Sequence, residues 1–257
     1  MLILKNLLDE KKKKILMHQT ARLNCELFFS TYKKYFNGSK VTVIDIGSQD
    51  INGSLKEFCP NNFKYIGVDF QKGKNVDIVL TDPYKLPFEN NSIDIVISSS
   101  CFEHSEMFWL SFLEVLRILK PQGLLYLNVP SDGGVHRHPV DCWRFYPDSG
   151  HALVNWSKRN GYNSILLEHY TQIGGSWYDY VAVFLKDEKY KKKFDDKIIS
   201  LKKDFENGWS KDSNKLINPV DQTQNERKLK PSKIIIFFRK IFLINLIFKI
   251  IRKLKKI

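Results

Sequence analysis

The sequence predicts an α/β fold: a doubly wound, seven-stranded and mostly parallel sheet with a basic helical extension at its C-terminal end. Three observations predict it. Short β-rich runs alternate with helical stretches from residue 41 to 185. Those runs are close to continuously apolar, the pattern of strands buried on both faces. The last two runs follow the last helix closely, which suggests a hairpin at the sheet edge.

Taken in order, residues 1–16 (MLILKNLLDEKKKKIL) place their lysine run after the apolar residues, so a signal peptide is not expected. Residues 18–36 space apolar side chains as a helix does, and Asn37-Gly38 supplies a stop. The strand runs are VTVIDI (41–46), KYIGV (64–68), VDIVL (76–80), IDIVIS (93–98), LLYLNV (124–129), SILLEHY (164–170) and YVAVFL (180–185). A helix is expected from Glu106 to Leu119, closed by Lys120-Pro121-Gln122-Gly123. Beyond Leu185 the composition turns polar. Residues 186–206 read as a charged helix, linker sequence runs to 230, and 231–257 form a basic segment. The expected organisation is therefore N-terminal helices over 1–40, a main domain over 41–185, a charged helix and linker over 186–230, and a basic amphipathic helix over 231–257.

Among 257 residues, 43% are hydrophobic and 27% charged, enough apolar surface for a core and too much for a disordered chain. The net charge of +13 is unevenly placed: +6 over residues 1–40, −5 over 41–185 and +12 over 186–257. A nucleic-acid enzyme usually surrounds its cleft with basic residues, and here the central segment is acidic, so no nucleic acid is expected as partner. Cys25, Cys59, Cys101 and Cys142 are far apart and form no CxxC pair. That spacing disfavours a zinc ribbon, an Fe–S site or a disulfide scaffold, and suits a reducing, cytoplasmic compartment.

The first strand run opens into Asp45-Ile46-Gly47-Ser48-Gln49-Asp50-Ile51-Asn52-Gly53, a glycine turn expected to lead into a helix N-terminus. Glycine there lets a ligand approach the backbone, but the spacing is not GxGxxG, which disfavours a dinucleotide. Asp69 ends the second run, 24 residues after Asp45, where a carboxylate suits both hydroxyls of a ribose. Asp82 follows the third run, placed for an adenine amino group. These three strand ends describe an adenosine site without a pyrophosphate clamp.

Through DIGSQDINGS, YIGVD, LTDPYKLPFENNSIDIVISSSCFEH and LEVLRILKPQGLLYLNVPS, in this order, residues 40–185 resemble a class I S-adenosylmethionine-dependent methyltransferase with its Rossmann-like fold. The resemblance implies S-adenosylmethionine as cofactor, contacted by Asp45, Gly47, Gln49, Asp69, Asp82 and Ser99. Gln49 stands where the family usually has glycine. Its side chain either fills part of the methionine end or offers its amide to the methionine carboxylate.

The acceptor side is expected after the fourth and fifth runs. Glu103-His104 either packs under the cofactor, as in relatives of this fold, or caps a helix. The loop PSDGGVHRHPVDCWRFYP (130–147) gathers two histidines, two arginines, two aspartates and aromatic residues. Arg137 and Arg144 suit phosphate or carboxylate, with Asp141 beside them, and Trp143 and Tyr146 offer flat faces to a sugar or base. His136 or His138 suits a general base, His136 foremost. A salt-bridged lid with Asp141 paired to Arg144 is the plainer alternative. The His-x-His pair hints at a metal, yet no third ligand stands out, so none is expected. This loop is similar to that of methyltransferases encoded with bacterial surface-polysaccharide (capsule or O-antigen) assembly enzymes. The likeness implies a sugar, nucleotide-sugar or lipid-linked glycan as acceptor, with O-methylation favoured.

From Leu243 to Ile257 a helical wheel separates leucines and isoleucines from Lys249, Arg252, Lys253 and Lys256. No charge-free run reaches spanning length, so the segment reads as a helix lying on an anionic membrane surface, at the cytoplasmic face. Packing on a partner subunit or back on the N-terminal helices is the alternative. Rival functions are a non-catalytic, membrane-held scaffold of the same fold, an RNA or protein methyltransferase, and a quinone C-methyltransferase.

Overall fold

A computed structural model describes residues 19–221, apart from 38, 39, 52, 175, 176 and 214. The described residues up to Val220 belong to one compact unit. Its α-helices are α1 (Gln19–Tyr32), α2 (Phe108–Ile118), α3 (Ser149–Arg159) and α4 (Ile198–Leu201). Its strands are β1 (Thr42–Ile46), β2 (Lys64–Asp69), β3 (Ile78–Val79), β4 (Ile93–Ser99), β5 (Leu119–Asp132), β6 (Ile165–Gly174), β7 (Trp177–Leu185) and β8 (Glu206–Ser210). The sheet order is β3-β2-β1-β4-β5-β7-β6-β8. The pairings from β3 to β5 are parallel, and those of β7, β6 and β8 antiparallel.

The near-continuous apolar runs divide by strict alternation. Val43, Ile95, Ile97 and Tyr126 face one layer, with Cys25, Phe28, Phe29 and Tyr32 of α1 packed upon them. Ile44, Val96, Leu125 and Leu127 face the other, under Phe112, Val115 and Leu116 of α2 and Leu153 and Val154 of α3. Each strand is thus buried twice, and polar alternation disappears from its sequence. In α1, positions 21, 25, 28, 29 and 32 are buried, the stripe that a 3.6-residue period makes.

Four expectations are corrected. Residues 186–206 do not form one charged helix: they make a 3-10 turn (Glu188–Lys193), the single turn α4, and then the edge strand β8. The reason is a buried carboxylate. Glu168 on β6 accepts the Tyr32 hydroxyl at 2.5 Å and the main-chain N–H groups of Ile198 at 2.8 Å and Ile199 at 3.0 Å. Burying Phe194 and Ile198 beside it outweighs the helical propensity of the lysines. The sheet consequently has eight strands, with β8 rather than the β6–β7 hairpin at its edge.

Third, Lys120-Pro121-Gln122-Gly123 lies within the span of β5, where Leu119 pairs with Ile93 ahead of an irregularity in the register. Fourth, the glycine turn after β1 opens onto a four-residue 3-10 turn, Leu55–Phe58, not an α-helix. The basic segment 231–257 lies outside the described residues, and no described helix is long and apolar enough to cross a membrane.

Candidate active site

The strand order reverses between β1 and β4, and at such a switch the carboxyl ends of the strands open a crevice. Parallel pairing brings Ile46 beside both Val68 and Ser98, so the ends of β1, β2 and β4 stand together. Gly47 takes φ +81°, and a Cβ there would stand 2.6 Å from the Cβ of Cys101. Glycine is required twice over, by the backbone and by that close approach. The N–H groups of Gly47 and Ser48 both donate to the Val68 carbonyl, at 3.0 and 3.2 Å, tying the turn to β2.

Asp69 is buried, and its carboxylate accepts the N–H of Gln49 at 3.2 Å and that of Gln71 at 3.0 Å. Each oxygen keeps a further lone pair. Asp45 turns away from this role: its carboxylate accepts the Tyr65 hydroxyl at 2.5 Å inside the core. Burial pushes its pKa up to about 7, against the opposing pull of that hydrogen bond. Asp45 therefore organises the turn. The side chain of Gln49 lies on the loop after β2, where a Cβ on Gly73 would stand 2.6 Å from its Nε2. Asp82 is exposed and accepts the Tyr84 N–H at 2.8 Å.

Ser99 is half-buried and ends a relay that the sequence did not reveal. The Tyr170 hydroxyl donates to Asn24 at 3.0 Å, Asn24 donates to Asn128 at 3.1 Å, and Asn128 donates to Ser99 Oγ at 3.4 Å. Asn24 and Asn128 are fully buried. An asparagine within an apolar helical stripe is the signal that could have exposed the first.

The loop after β5 folds on itself. Arg144 directs both terminal nitrogens onto Asp141, at 2.6 and 2.8 Å, and also donates to the carbonyls of Trp143 at 2.7 Å and Gly134 at 2.8 Å. The guanidinium holds the Asp141 carboxyl well below the usual carboxylate range. These two residues brace the loop, so of the two arginines only Arg137 stands exposed without a hydrogen bond or ion pair among the described residues. Trp143 donates its indole N–H to Ser105 at 2.9 Å and meets Phe108 and Trp109 edge-on, keeping 37% exposure. Tyr146 is exposed.

His136 is half-buried, its ring edge-on to His104 at 4.9 Å and to Trp177 at 4.7 Å. Its Nδ1 lies 3.3 Å from Asp141. His138 is exposed, its ring 6.2 Å from that of His104. Beneath the loop the Glu103 carbonyl accepts the N–H groups of Cys142 at 2.8 Å and Trp143 at 3.2 Å. The Glu103 side chain is fully buried, with no hydrogen-bond partner for either carboxylate oxygen among the described residues. Burial pushes its pKa up to about 8. His104 Nδ1 sits 2.5 Å from the Val140 carbonyl, and burial holds its ring below the usual histidine range. Glu103, His104 and His136 bring one potential ligand atom each to within 4.8 Å of one another. Of the His-x-His pair only His136 belongs to this set; its other two members come from the segment after β4. The glycine turn and this cluster adjoin through Cys101, which a Cβ on Gly47 would meet at 2.6 Å and which lies two residues before Glu103.

Residues 27–127 match the family described as "Methyltransferase domain". No curated protein matches the chain. Among solved structures, a SAM-dependent methyltransferase from Aquifex aeolicus is 17% identical, over 64% of this chain and 93% of its own, with a TM-score of 0.42. The 1,6-didemethyltoxoflavin-N1-methyltransferase of Burkholderia thailandensis is 13% identical, over 66% of this chain and 80% of its own, with a TM-score of 0.46. Such distant likenesses carry no argument about activity. The family match does, and the residues suit the methyl donor: Asp69 retains lone pairs for ribose hydroxyls, and the Gly47 turn leaves backbone open at the strand ends. Over residues 27–127, 101 of the 257, the chain matches a methyltransferase domain, and the residues at the strand ends suit S-adenosylmethionine as its methyl donor.

Proposed function

We propose that the enzyme methylates a hydroxyl of a saccharide or surface-glycan precursor, a nucleotide-sugar or lipid-linked glycan, in the cytoplasm. The observation that carries this reading is the loop 133–147. Around His136 it offers one uncommitted cation, Arg137, and two accessible aromatic faces, Trp143 and Tyr146. Aromatic faces stack on sugar rings, and a free arginine suits the phosphate of an activated sugar.

The methyl donor supplies a sulfonium-bound methyl group that is already activated. The protein has to align the acceptor oxygen with the S–CH3 bond, exclude water, and accept one proton as the O–CH3 bond forms. His136 suits the last task. Its Nδ1 lies beside the Asp141 carboxylate, which holds the ring in place and stabilises the imidazolium once the other nitrogen has taken the hydroxyl proton. The polar, charged loop favours a hydrophilic acceptor over a quinone. We further propose that 231–257 lies on the anionic cytoplasmic membrane surface, which suits a lipid-linked acceptor.

The test is calorimetric titration with S-adenosylhomocysteine, followed by transfer of labelled methyl from S-adenosylmethionine to panels of nucleotide-sugars and lipid-linked glycans. Labelled sugar, lost in His136→Ala with cofactor binding retained, is the expected result. Folded protein that binds no cofactor favours the scaffold reading, and labelling of RNA or protein alone overturns the saccharide assignment.

A further inference from the structure

The loop after β5 lays His136 over His104 and the buried Glu103. One oxygen of Glu103 lies 3.6 Å from His104 Nε2, and a ring nitrogen of His136 completes a set spanning no more than 4.8 Å. Ligands of a tetrahedral zinc, each at about 2.0–2.2 Å from the ion, stand roughly 3.3–3.6 Å apart. One separation already has that value, and the others lie within 4.8 Å.

The proton positions suit a cation. A carbonyl only accepts, so the 2.5 Å contact of His104 Nδ1 with Val140 makes Nδ1 the donor and leaves the Nε2 lone pair free in the neutral ring. His136 Nδ1 likewise faces acceptors, the Asp141 carboxylate at 3.3 Å and the Gly134 carbonyl at 3.4 Å. Ligating histidines commonly have such outer partners, a carboxylate or a main-chain carbonyl, and Arg144 in turn fixes Asp141. Glu103 completes the case. A fully buried carboxylate with no hydrogen bond to either oxygen among the described residues is costly, and a cation resolves that cost.

We propose that Glu103, His104 and His136 bind one divalent first-row transition cation, with Zn2+ as the reference ion. Two imidazoles and one carboxylate suit such borderline ions better than Mg2+ or Ca2+, which prefer oxygen ligands alone. Three protein ligands leave a coordination position open to a hydroxyl. With the metal bound, the cation would lower the pKa of a coordinated acceptor hydroxyl so that its proton passes to solvent before methyl transfer, and His136 would serve as ligand rather than base. This role rests on the reading of the enzyme as an O-methyltransferase, whereas the site itself does not.

The test is calorimetric titration of the full chain, stripped with EDTA, with ZnCl2, followed by S-adenosylhomocysteine on the same samples. One equivalent of Zn2+ is expected to bind, and Glu103→Gln and His136→Gln are each expected to weaken it at least tenfold. Circular dichroism establishes that the variants are folded, and Asp141→Asn, which keeps all three ligands, is expected to weaken binding less than either. Absence of Zn2+ binding by folded wild-type protein overturns the proposal, as does equal affinity in both ligand variants. S-adenosylhomocysteine binding without Zn2+ binding sinks the metal site alone, and the reverse sinks only the methyltransferase reading.

Discussion

Asp69 at the end of β2 accepts the main-chain N–H of Gln49, which lies beyond the end of β1, at 3.2 Å. One carboxylate thus joins the position proposed for the ribose to the turn expected to face the methionine part of the cofactor. The two functions are coupled through a single side chain. Asp69→Ala is expected to weaken S-adenosylhomocysteine binding by more than about tenfold, through lost ribose hydrogen bonds and a loosened turn. Calorimetry measures this, and near-normal affinity would remove Asp69 from the ribose.

The Gln49 side chain rests against Gly73 rather than filling the crevice. Gln49→Gly is accordingly expected to change cofactor affinity by less than about threefold, under 1 kcal/mol. A gain of tenfold or more on titration would place the side chain in the methionine pocket after all.

Arg144→Ala removes the fork on Asp141, whose side chain is 2% exposed with the arginine in place. Breaking such a pair is expected to cost about 3 kcal/mol, read as a shift in the denaturant midpoint. The folded-state pKa of Asp141 lies below its unfolded value, so the pair's contribution is present above the ordinary carboxylate pKa and fades as pH falls below about 4. The gap between variant and wild type should narrow on acidification. A gap independent of pH would mean the loop is held by other contacts.

Glu103 gives the opposite sign. Its pKa rises from an ordinary carboxylate value to about 8, so the folded state holds a proton that the unfolded state has released. With EDTA present, unfolding free energy should fall as pH rises from about 5 to 8, by up to about 1.4 kcal/mol per pH unit from this group. Asp45, raised to about 7, adds to the same trend. Glu103→Gln should flatten the slope in thermal melts between pH 5 and 9, and an unchanged slope would mean Glu103 is not the titrating group.

Removing residues 231–257 is expected to release the protein from anionic vesicles while cofactor binding stays intact. Flotation with vesicles containing phosphatidylglycerol measures the release. Persistent flotation of the truncated chain would place any membrane contact elsewhere.

The relation of sequence to structure follows the range of the interactions involved. The strands β1, β2 and β4 and the helices α1 and α2 were legible because burial on two faces, or along one stripe, imprints a local period. The places of Asp69 at the end of β2 and of Gly47 in the turn after β1 were legible because a strand end and its turn are adjacent in the chain. The region after Leu185 was not, because its path depends on Glu168, whose carboxylate captures N–H groups 30 and 31 residues away. Nor was the choice between Arg137 and Arg144: sequence shows two arginines in one loop, and only folding shows that one of them is used to brace it.

By itself, the sequence determined a mostly parallel α/β sheet, the strand ends proposed for an adenosine-bearing cofactor, and a polar loop beyond the fifth strand, since periodicity and turn chemistry are properties of neighbouring residues. Only the tertiary structure decided that β8 closes the sheet and that Gln49 lies aside on Gly73. It alone decided that Glu103, His104 and His136 meet beneath the loop. Those outcomes depend on contacts between segments distant in the chain, and no local pattern records which of the available partners wins.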